Sequence, residues 1–372
     1  MSTSTFDTAI NQARDLLRWR SPLRTELWAA RLTASLRPEE REPFLRRLVS
    51  DQSDEARLIL AALAAVTPEG LDALTGENDV PADDLDTPSG GNNAPASGLD
   101  TPAGGNDVPT PAGEGAGAGA ADAGVFGRAA REAVRASREW VARMGRVSCE
   151  GAWYGKADPY GEQVLAALAF RYGNGKEPHV VVVAIDQVNG GLAVDALVEE
   201  VKFLDDLDLE VAEPGVVAGR VLDAFEVTDL VMGAPVAETL AGVRGVAVCR
   251  ARVANPVRHS PDDTVARFKD LPELPGAEEA FEKLAEFVGD RPLWWSPARV
   301  SQFLTSWLPR EAILSDAAIE AMPEVLRAWS RFVGAQDEVL RRVEEDTPRL
   351  PALMADDSLA GLGKRIAQNR RH

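Results

Sequence analysis

A long tract rich in glycine, proline, alanine, asparagine and aspartate interrupts the chain and limits how it can fold. Residues 77–124 contain no lysine, arginine or aromatic residue, and short pieces of the tract repeat: LDTPSGGN at 85–92 returns as LDTPAGGN at 99–106. Such a composition buries too little apolar area to offset the entropy lost on ordering. We therefore predict a disordered acidic linker or inserted loop, with a docking motif for a basic partner as the less favoured alternative.

The region before this tract, residues 1–76, is predicted to be helical. Leucine and tryptophan recur at helical spacing between residues 6 and 36, and the Ser21-Pro22 pair should split that stretch into two helices, because proline fits a first helical turn better than an interior. A further helix is predicted after Pro43, and another over residues 53–66, ending at Thr67-Pro68.

The middle region, residues 125–260, is predicted to be an α+β domain. A helix should run from Val125 to about Met144. Residues 164–172, 180–188 and 191–198 are typical of β-strands, and Asn189-Gly190 is a strong hairpin signal because both positions tolerate positive φ. We predict a three-stranded antiparallel meander, followed by helices over residues 214–227 and 236–253.

The last region, residues 261–372, is predicted to be all-helical. Helical segments are expected at 268–274, 277–289, from Ser296-Pro297 onward, and at 315–322, 323–333, 336–345 and 350–367. Tryptophans 294, 295, 307 and 329 lie among leucine and phenylalanine at helical spacing, which favours a core role over ligand stacking. The fold class is therefore α+β, with an N-terminal helical region, a small antiparallel sheet with helices, and a C-terminal helical bundle.

Net charge and the length of the apolar runs exclude some classes of binding partner. The 372-residue chain has 40 Lys plus Arg against 59 Asp plus Glu, a formal net charge of −19. This charge disfavours nucleic acid and anionic membrane surfaces. No apolar run approaches the ~20 residues of a membrane helix, and the N-terminus does not resemble a signal peptide. Cys149 and Cys249 are expected to be reduced thiols. We predict a cytoplasmic protein that binds neither membranes nor nucleic acid.

Four carboxylates in the middle region are the candidate site. Asp158 and Glu162 precede the first predicted strand, Asp186 ends the second and Asp195 lies within the third. If the strands pair as predicted, these side chains approach one sheet edge, where they could hold Mg²⁺ or Ca²⁺, or supply an acid and a base. The simpler alternative gives Asp158 and Asp186 structural roles in turns, with Glu162 and Asp195 facing solvent.

Other catalytic or cofactor motifs are lacking in the sequence. The three histidines are His179, His259 and the terminal His372, and none forms a pair with zinc-ligand spacing. There is no CxxC, phosphate-binding loop, dinucleotide fingerprint or nucleophile elbow. No cofactor is expected, and the catalytic residues, if the chain has any, are unknown. A small basic tail, Lys364, Arg365, Arg370 and Arg371, is expected to be a frayed end.

Three segments, in order, resemble a family of actinobacterial proteins that has no assigned activity. The segments are LRW at 17–19 with ELWA at 26–29; GEQ at 161–163 with HVVVVAID at 179–186, GGLA at 190–193 and Asp195; and WSP at 295–297 with FLTSWLPR at 303–310. The resemblance covers most of the chain outside the linker. It implies an actinobacterial host and no specific mechanism. The family pattern has His-Asn after the strand-ending Asp and a Lys before the later one, where this chain has Gln187 and Val194.

Two functional hypotheses follow from the sequence. The first is a non-enzymatic interaction or regulatory protein with a protein partner or self-association, because recognisable chemistry is scarce and helices flank the sheet. The alternative is a ligand- or metal-binding protein, or a hydrolase, that uses Asp158, Glu162, Asp186 and Asp195. The two differ in whether those carboxylates converge in a pocket.

Overall fold

A computed structural model describes residues 5–75, 116–258 and 262–369. In the described part of the N-terminal region there are five helices: α1 (Thr5–Trp19), α2 (Pro22–Ser35), α3 (Pro38–Ser50), α4 (Asp54–Ala65) and α5 (Pro68–Thr75). The break between α1 and α2 is confirmed, and the Ser21 side chain caps α2 by accepting from the Arg24 amide. Ser53 caps α4 in the same way. The predicted start after Pro43 is wrong, because α3 begins at Pro38 and Pro43 lies inside it.

Helix α4 is the centre of this bundle, because nine of its twelve residues are buried. Helices α1, α2, α3 and α5 pack around it, together with α6 (Ala116–Ala136). The predicted linker falls mostly on residues 77–115, which lie outside the described residues. Its last part, residues 116–124, belongs to α6, so the predicted helix start at Val125 is too late. A short 3₁₀ turn (Val141–Arg143) then leads to the sheet.

Among the described residues, the sheet has five antiparallel strands: β1 (Val147–Lys156), β2 (Gln163–Tyr172), β3 (His179–Asp186), β4 (Leu192–Glu199) and β5 (Glu210–Ala212). Their spatial order is β4-β3-β2-β1-β5. The three predicted strands correspond to β2, β3 and β4. The predicted β3–β4 hairpin is also present, with positive φ at Gly190 and Gly191. The prediction missed β1 and β5.

Helices α7 (Pro214–Leu230) and α8 (Glu238–Val253) cover one face of the sheet. The core beneath them is built from alternate strand residues such as Leu168 and Phe170 with Val221 and Phe225. The opposite face has a smaller cluster around Val182, partly covered by a 3₁₀ segment (Val201–Asp206). The fold is therefore α+β.

The C-terminal region is helical: α9 (Thr264–Arg267), α10 (Ala277–Val288), α11 (Pro297–Gln302), α12 (Leu308–Glu311), α13 (Asp316–Phe332), α14 (Asp337–Asp346), α15 (Leu350–Ala355) and α16 (Leu362–Asn369). A π-helical turn (Phe303–Trp307) joins α11 to α12, and 3₁₀ turns occupy Thr347–Arg349 and Asp357–Leu359. Three predictions are corrected: residues 268–274 are not helical, α13 continues through Pro323, and the predicted 350–367 helix is broken before α16.

The C-terminal core is aromatic, and Trp295, Trp307 and Trp329 belong to it as predicted. Trp294 is partly buried and lies outside this core, under the Arg299 guanidinium. Trp295 and Trp329 are fully buried, and the Trp295 indole donates a hydrogen bond to the Ser330 hydroxyl at 2.8 Å. Trp307 packs against the same core from a partly buried position. The Trp295 amide also donates to the Tyr160 carbonyl at 3.0 Å, which joins this region to the β1–β2 turn. Among the described helices, none is long and apolar enough to cross a membrane.

Candidate functional site

Asp158 has a structural role in the β1–β2 turn. Its carboxylate accepts hydrogen bonds from the backbone amides of Tyr160 at 2.7 Å, Glu162 at 3.3 Å and Gln163 at 2.6 Å. This set of bonds fixes the turn that precedes β2. The predicted turn role of Asp158 is therefore confirmed.

Asp186 has the same kind of role at the β3–β4 turn. It accepts from the amides of Val188 at 3.0 Å and Asn189 at 3.2 Å, and from the Asn189 side chain at 2.7 Å. Because Gln163 pairs with Asp186 in the sheet register, Asp158, Glu162 and Asp186 lie toward the same end of the sheet.

Asp195 lies apart, within β4 opposite Ala184. Its carboxylate accepts from the Ala196 amide and from the hydroxyl of Thr239 at the start of α8, and does not merely face solvent. Within the described ranges, no group of three or more His, Cys, Asp or Glu side chains is arranged to hold a metal ion. The structure thus places two of the four carboxylates in turns and a third against α8, without forming the predicted metal cluster.

A large cleft lies beside the β1–β5 side of the sheet. It has a volume of about 900 Å³ and is bounded by β1, β5, α7, the segment around α9 and the end of α13. We call it the main cleft. Of the four predicted residues, only Asp158 lines it. Concave sites of this size at the junction of several elements are the usual location of binding sites.

The floor of the main cleft is formed by Tyr154, Arg220 and Asp262. Arg220 and Asp262 form an ion pair at 2.9 Å, and their side chains are only 19% and 7% exposed. The guanidinium of Arg220 lies 4.4 Å from the centre of the Tyr154 ring. Burial raises the pKa of Tyr154, although the Arg220 charge opposes this effect. These contacts join β1 to α7 and to the segment before α9.

Lys156 connects the cleft to the C-terminal region. Its ammonium donates to the Val333 carbonyl, just after α13. Burial lowers the pKa of Lys156, while Asp158 and Glu210 oppose the shift. The lysine therefore stabilises the cleft wall as a donor to a backbone oxygen.

Strand β5 supplies the outer wall. It pairs with β1 on one side and is the last strand in the sheet order, so its second edge has no partner strand within the described residues. The Val211 side chain at the centre of β5 is 81% exposed. Six carboxylates and three cationic side chains line the cleft: Asp158, Asp208, Glu210, Glu213, Asp262 and Asp263, with Lys156, Arg220 and Arg267.

A separate polar cluster is completely buried between the N-terminal helices and the sheet. The Glu26 carboxylate accepts from the Gly145 amide at 2.8 Å, the Tyr172 hydroxyl at 2.9 Å and the Arg250 guanidinium. Arg250 also donates through Nε to His179 Nε2 at 3.1 Å. Burial and the Arg250 charge lower the pKa of His179 to about 4, so the imidazole is neutral at pH 7. The structure buries His179 within this bonded cluster.

Sequence reasoning missed the cleft because it missed β1 and β5. Tyr154 and Lys156 alternate with glycine in a segment that lacks a continuous β-prone run, and β5 is only three residues long. For the buried polar cluster, by contrast, the sequence contains one signal. Glu26 shares a helical face with Pro22, Ala29 and Ala30, where a charged side chain is unexpected.

Comparison with known proteins gives no match among protein-family models, curated proteins or solved structures. The structure itself shows an α+β protein with a main cleft beside the open edge of its sheet. Its resemblance to an actinobacterial family stays a prediction.

Proposed function

We propose that the protein is a non-enzymatic cytoplasmic interaction protein that binds an extended, basic segment of a partner protein in the main cleft. The observation that carries the proposal is the position of β5. Its open edge and its exposed Val211 form a wall of the main cleft. Open strand edges pair readily with an added strand, which is a common mode of peptide recognition.

Charge supports a basic partner. The six carboxylates of the cleft exceed its three cations, and the whole chain has a net charge of −19. Complementary charge increases the rate of encounter and selects against wrong partners. Lysine or arginine alternating with β-branched residues would place cations toward Asp208 and Glu210 while apolar side chains cover Val211.

The contacts of the cleft residues support binding over catalysis. Asp158 is engaged by three amides, Arg220 by Asp262, and Lys156 by the Val333 carbonyl. These groups hold the walls in place, which reduces the reorganisation needed when a ligand binds. Cytoplasmic location is supported by Cys149 and Cys249, which are both free thiols.

Self-association is the second candidate, favoured by a different surface. Leu230 at the end of α7 is 85% exposed, and Met232 in the α7–α8 loop is 100% exposed. Exposed apolar side chains that are contiguous in a loop mark interaction surfaces in many proteins. A partner that binds this loop should be unaffected by substitutions in β5. The loop therefore provides a control for binding in the main cleft.

Selection from a peptide library tests the proposal without a known partner. The library displays extended peptides in which lysine or arginine alternates with valine, isoleucine or threonine, and selected peptides are measured by calorimetry. We expect micromolar affinity, falling with added salt, and a loss of roughly tenfold or more for Val211→Lys, because an edge lysine blocks strand addition.

Two controls complete the experiment. Met232→Lys adds the same charge at an even more exposed apolar residue in the α7–α8 loop and should leave affinity unchanged. Peptides with glutamate in place of each cation should not bind. An empty selection, or equal losses for Val211→Lys and Met232→Lys, contradicts the proposal.

A further inference from the structure

A second cleft, which shares no lining residue with the main cleft, is cationic. It has a volume of about 540 Å³ and lies where the α1–α2 junction meets the turn after α6 and the β2–β3 loop. We call it the cationic cleft. Four cations line it, namely Arg20, Arg138, Arg143 and Lys176, against two carboxylates, Glu139 and Glu177. On a chain of net charge −19, a local excess of positive charge indicates attraction for anions.

The carboxylates of this cleft leave most of its cations unneutralised. Glu139 is 93% exposed and pairs with Arg143 at 3.4 Å. The Glu177 carboxylate accepts a hydrogen bond from the Ser21 hydroxyl. Across the described ranges, no carboxylate lies within ion-pair distance of Arg20, Arg138 or Lys176.

An unpartnered donor lies in the wall of the same cleft. Trp140 is only 5% exposed, and within the described chain its indole N–H has no hydrogen-bond partner. The Nε of Arg143, one turn further on, is also buried without a partner. Buried donors are nearly always bonded in folded proteins. Both donors lie beside the unneutralised cations, where the oxygen acceptors of a ligand would satisfy them.

The backbone of the cleft is held in an uncommon conformation. Arg20 and Glu177 have positive φ values of 54° and 49°. Arg20 ends α1 at a position where glycine is usual, so a side chain is kept there at a conformational cost. The Glu177 carbonyl accepts a hydrogen bond from His179 Nδ1 at 2.9 Å, which helps to hold this backbone conformation. Arg20 and Glu177 lie in two different walls of the cleft, and the Ser21–Glu177 hydrogen bond joins these walls.

We propose that the cationic cleft binds a small molecule bearing two or more phosphate groups. Arginine is suited to this ligand because its planar guanidinium forms paired hydrogen bonds with phosphate oxygens. Arg20, Arg138 and Lys176 supply the charge, and Trp140 supplies a neutral donor. At the rim, Trp19 is 60% exposed and the Arg24 guanidinium stacks on its ring at 3.5 Å. A base or other flat ring attached to the phosphates would stack there.

Calorimetry of the full chain with inorganic pyrophosphate and with a nucleoside diphosphate tests the proposal. Both should bind, more weakly as salt increases. Arg138→Glu/Lys176→Glu should weaken both ligands by roughly a hundredfold, since each charged hydrogen bond is worth about tenfold or more. Trp19→Ala separates the two sources of phosphate, because it should weaken the nucleoside diphosphate and leave pyrophosphate unchanged.

The matched control is Arg41→Glu/Arg341→Glu, which makes the same change in net charge at exposed sites on α3 and α14. It should retain binding within about twofold, a small change in free energy. The Trp140 indole N–H resonance, assigned with Trp140→Phe, should shift on adding pyrophosphate. No binding of either ligand, equal losses in the two charge-reversal variants, or an unmoved Trp140 resonance at saturation would overturn the proposal. Peptide binding in the main cleft is measured separately, so either proposal can fail alone.

Discussion

Glu26 and Arg250 form a fully buried ion pair, although 224 residues separate them along the chain. The pair joins α2 of the N-terminal bundle to α8 above the sheet. Tyr172 and the Gly145 amide complete the hydrogen bonds of the carboxylate, and His179 accepts from the guanidinium. A buried charge is tolerated only when it is paired and hydrogen-bonded, and here both conditions are met.

Removing one member of this pair should be severely destabilising. Arg250→Met leaves the Glu26 carboxylate buried without its counter-charge, which should lower the free energy of unfolding by about 3–5 kcal/mol. Urea unfolding measures the loss. The double variant Glu26→Leu/Arg250→Met should lose less than the sum of the single changes. As a control, Asp15→Ala breaks the exposed Arg18–Asp15 pair and should cost less than about 1 kcal/mol. A similar loss at both pairs would contradict the structural role given to Glu26 and Arg250.

The neutral His179 should make stability depend on pH between about 4 and 6.5. Its folded-state pKa is lowered from 6.5 to about 4, so below pH 6.5 the unfolded chain binds a proton that the folded chain does not. The contribution of neutral His179 to the free energy of unfolding is complete above pH 6.5. It is lost as pH falls toward 4, and the total loss is on the order of 3 kcal/mol. His179→Gln keeps an acceptor for Arg250 and removes the titration. Its unfolding free energy should vary less with pH across this window, and an unchanged slope would show that His179 is not responsible.

The turn at Gly161 should not accept a side chain. Gly161 has φ of +70°, and a Cβ atom there would collide with the Leu293 carbonyl. Gly161→Ala should therefore lower stability by at least about 2 kcal/mol more than Gly190→Ala, because the second site has positive φ with open space around it. Thermal and urea unfolding of both variants measure the difference. Equal losses would mean that the contact between this turn and the C-terminal region is unimportant.

The two cysteines should differ in reactivity. Burial raises the pKa of Cys249 to about 12, while Cys149 is half-buried with a pKa raised less strongly by burial. Since the thiolate is the reactive form, Cys249 should react with a thiol reagent only after unfolding. Cys149 should react slowly in the folded protein. Mass spectrometry of the labelled chain distinguishes the sites, and fast native labelling of Cys249 would contradict its burial.

Local sequence signals predicted several helix starts and the β3–β4 hairpin. Ser21-Pro22 and Ser296-Pro297 carry capping information within a few residues. Asn189-Gly190 marks the hairpin turn, although the positive φ values lie one residue later than expected, at Gly190 and Gly191. Strand β1 was missed because Gly151 and Gly155 interrupt its pattern, and its place in the sheet depends on pairing with β2 and β5. Long-range pairing of this kind has no local signature.

The candidate site was harder to predict than the fold. The four carboxylates were chosen because they stood near strand ends, yet Asp158 and Asp186 bind backbone amides of their own turns. The main cleft depends on Arg220 meeting Asp262 and on Lys156 meeting Val333, contacts between residues far apart in sequence. The sequence-based preference for an interaction protein remains a proposal, now attached to β5.

Hydrogen–deuterium exchange with a selected basic peptide would locate the binding site within the folded protein. We expect saturating peptide to slow exchange in residues 210–213 and 154–159, which line the main cleft, and to leave exchange in residues 230–236 unchanged. Protection confined to the α7–α8 loop, or none around β5 at saturation, would contradict binding at the open edge of the sheet.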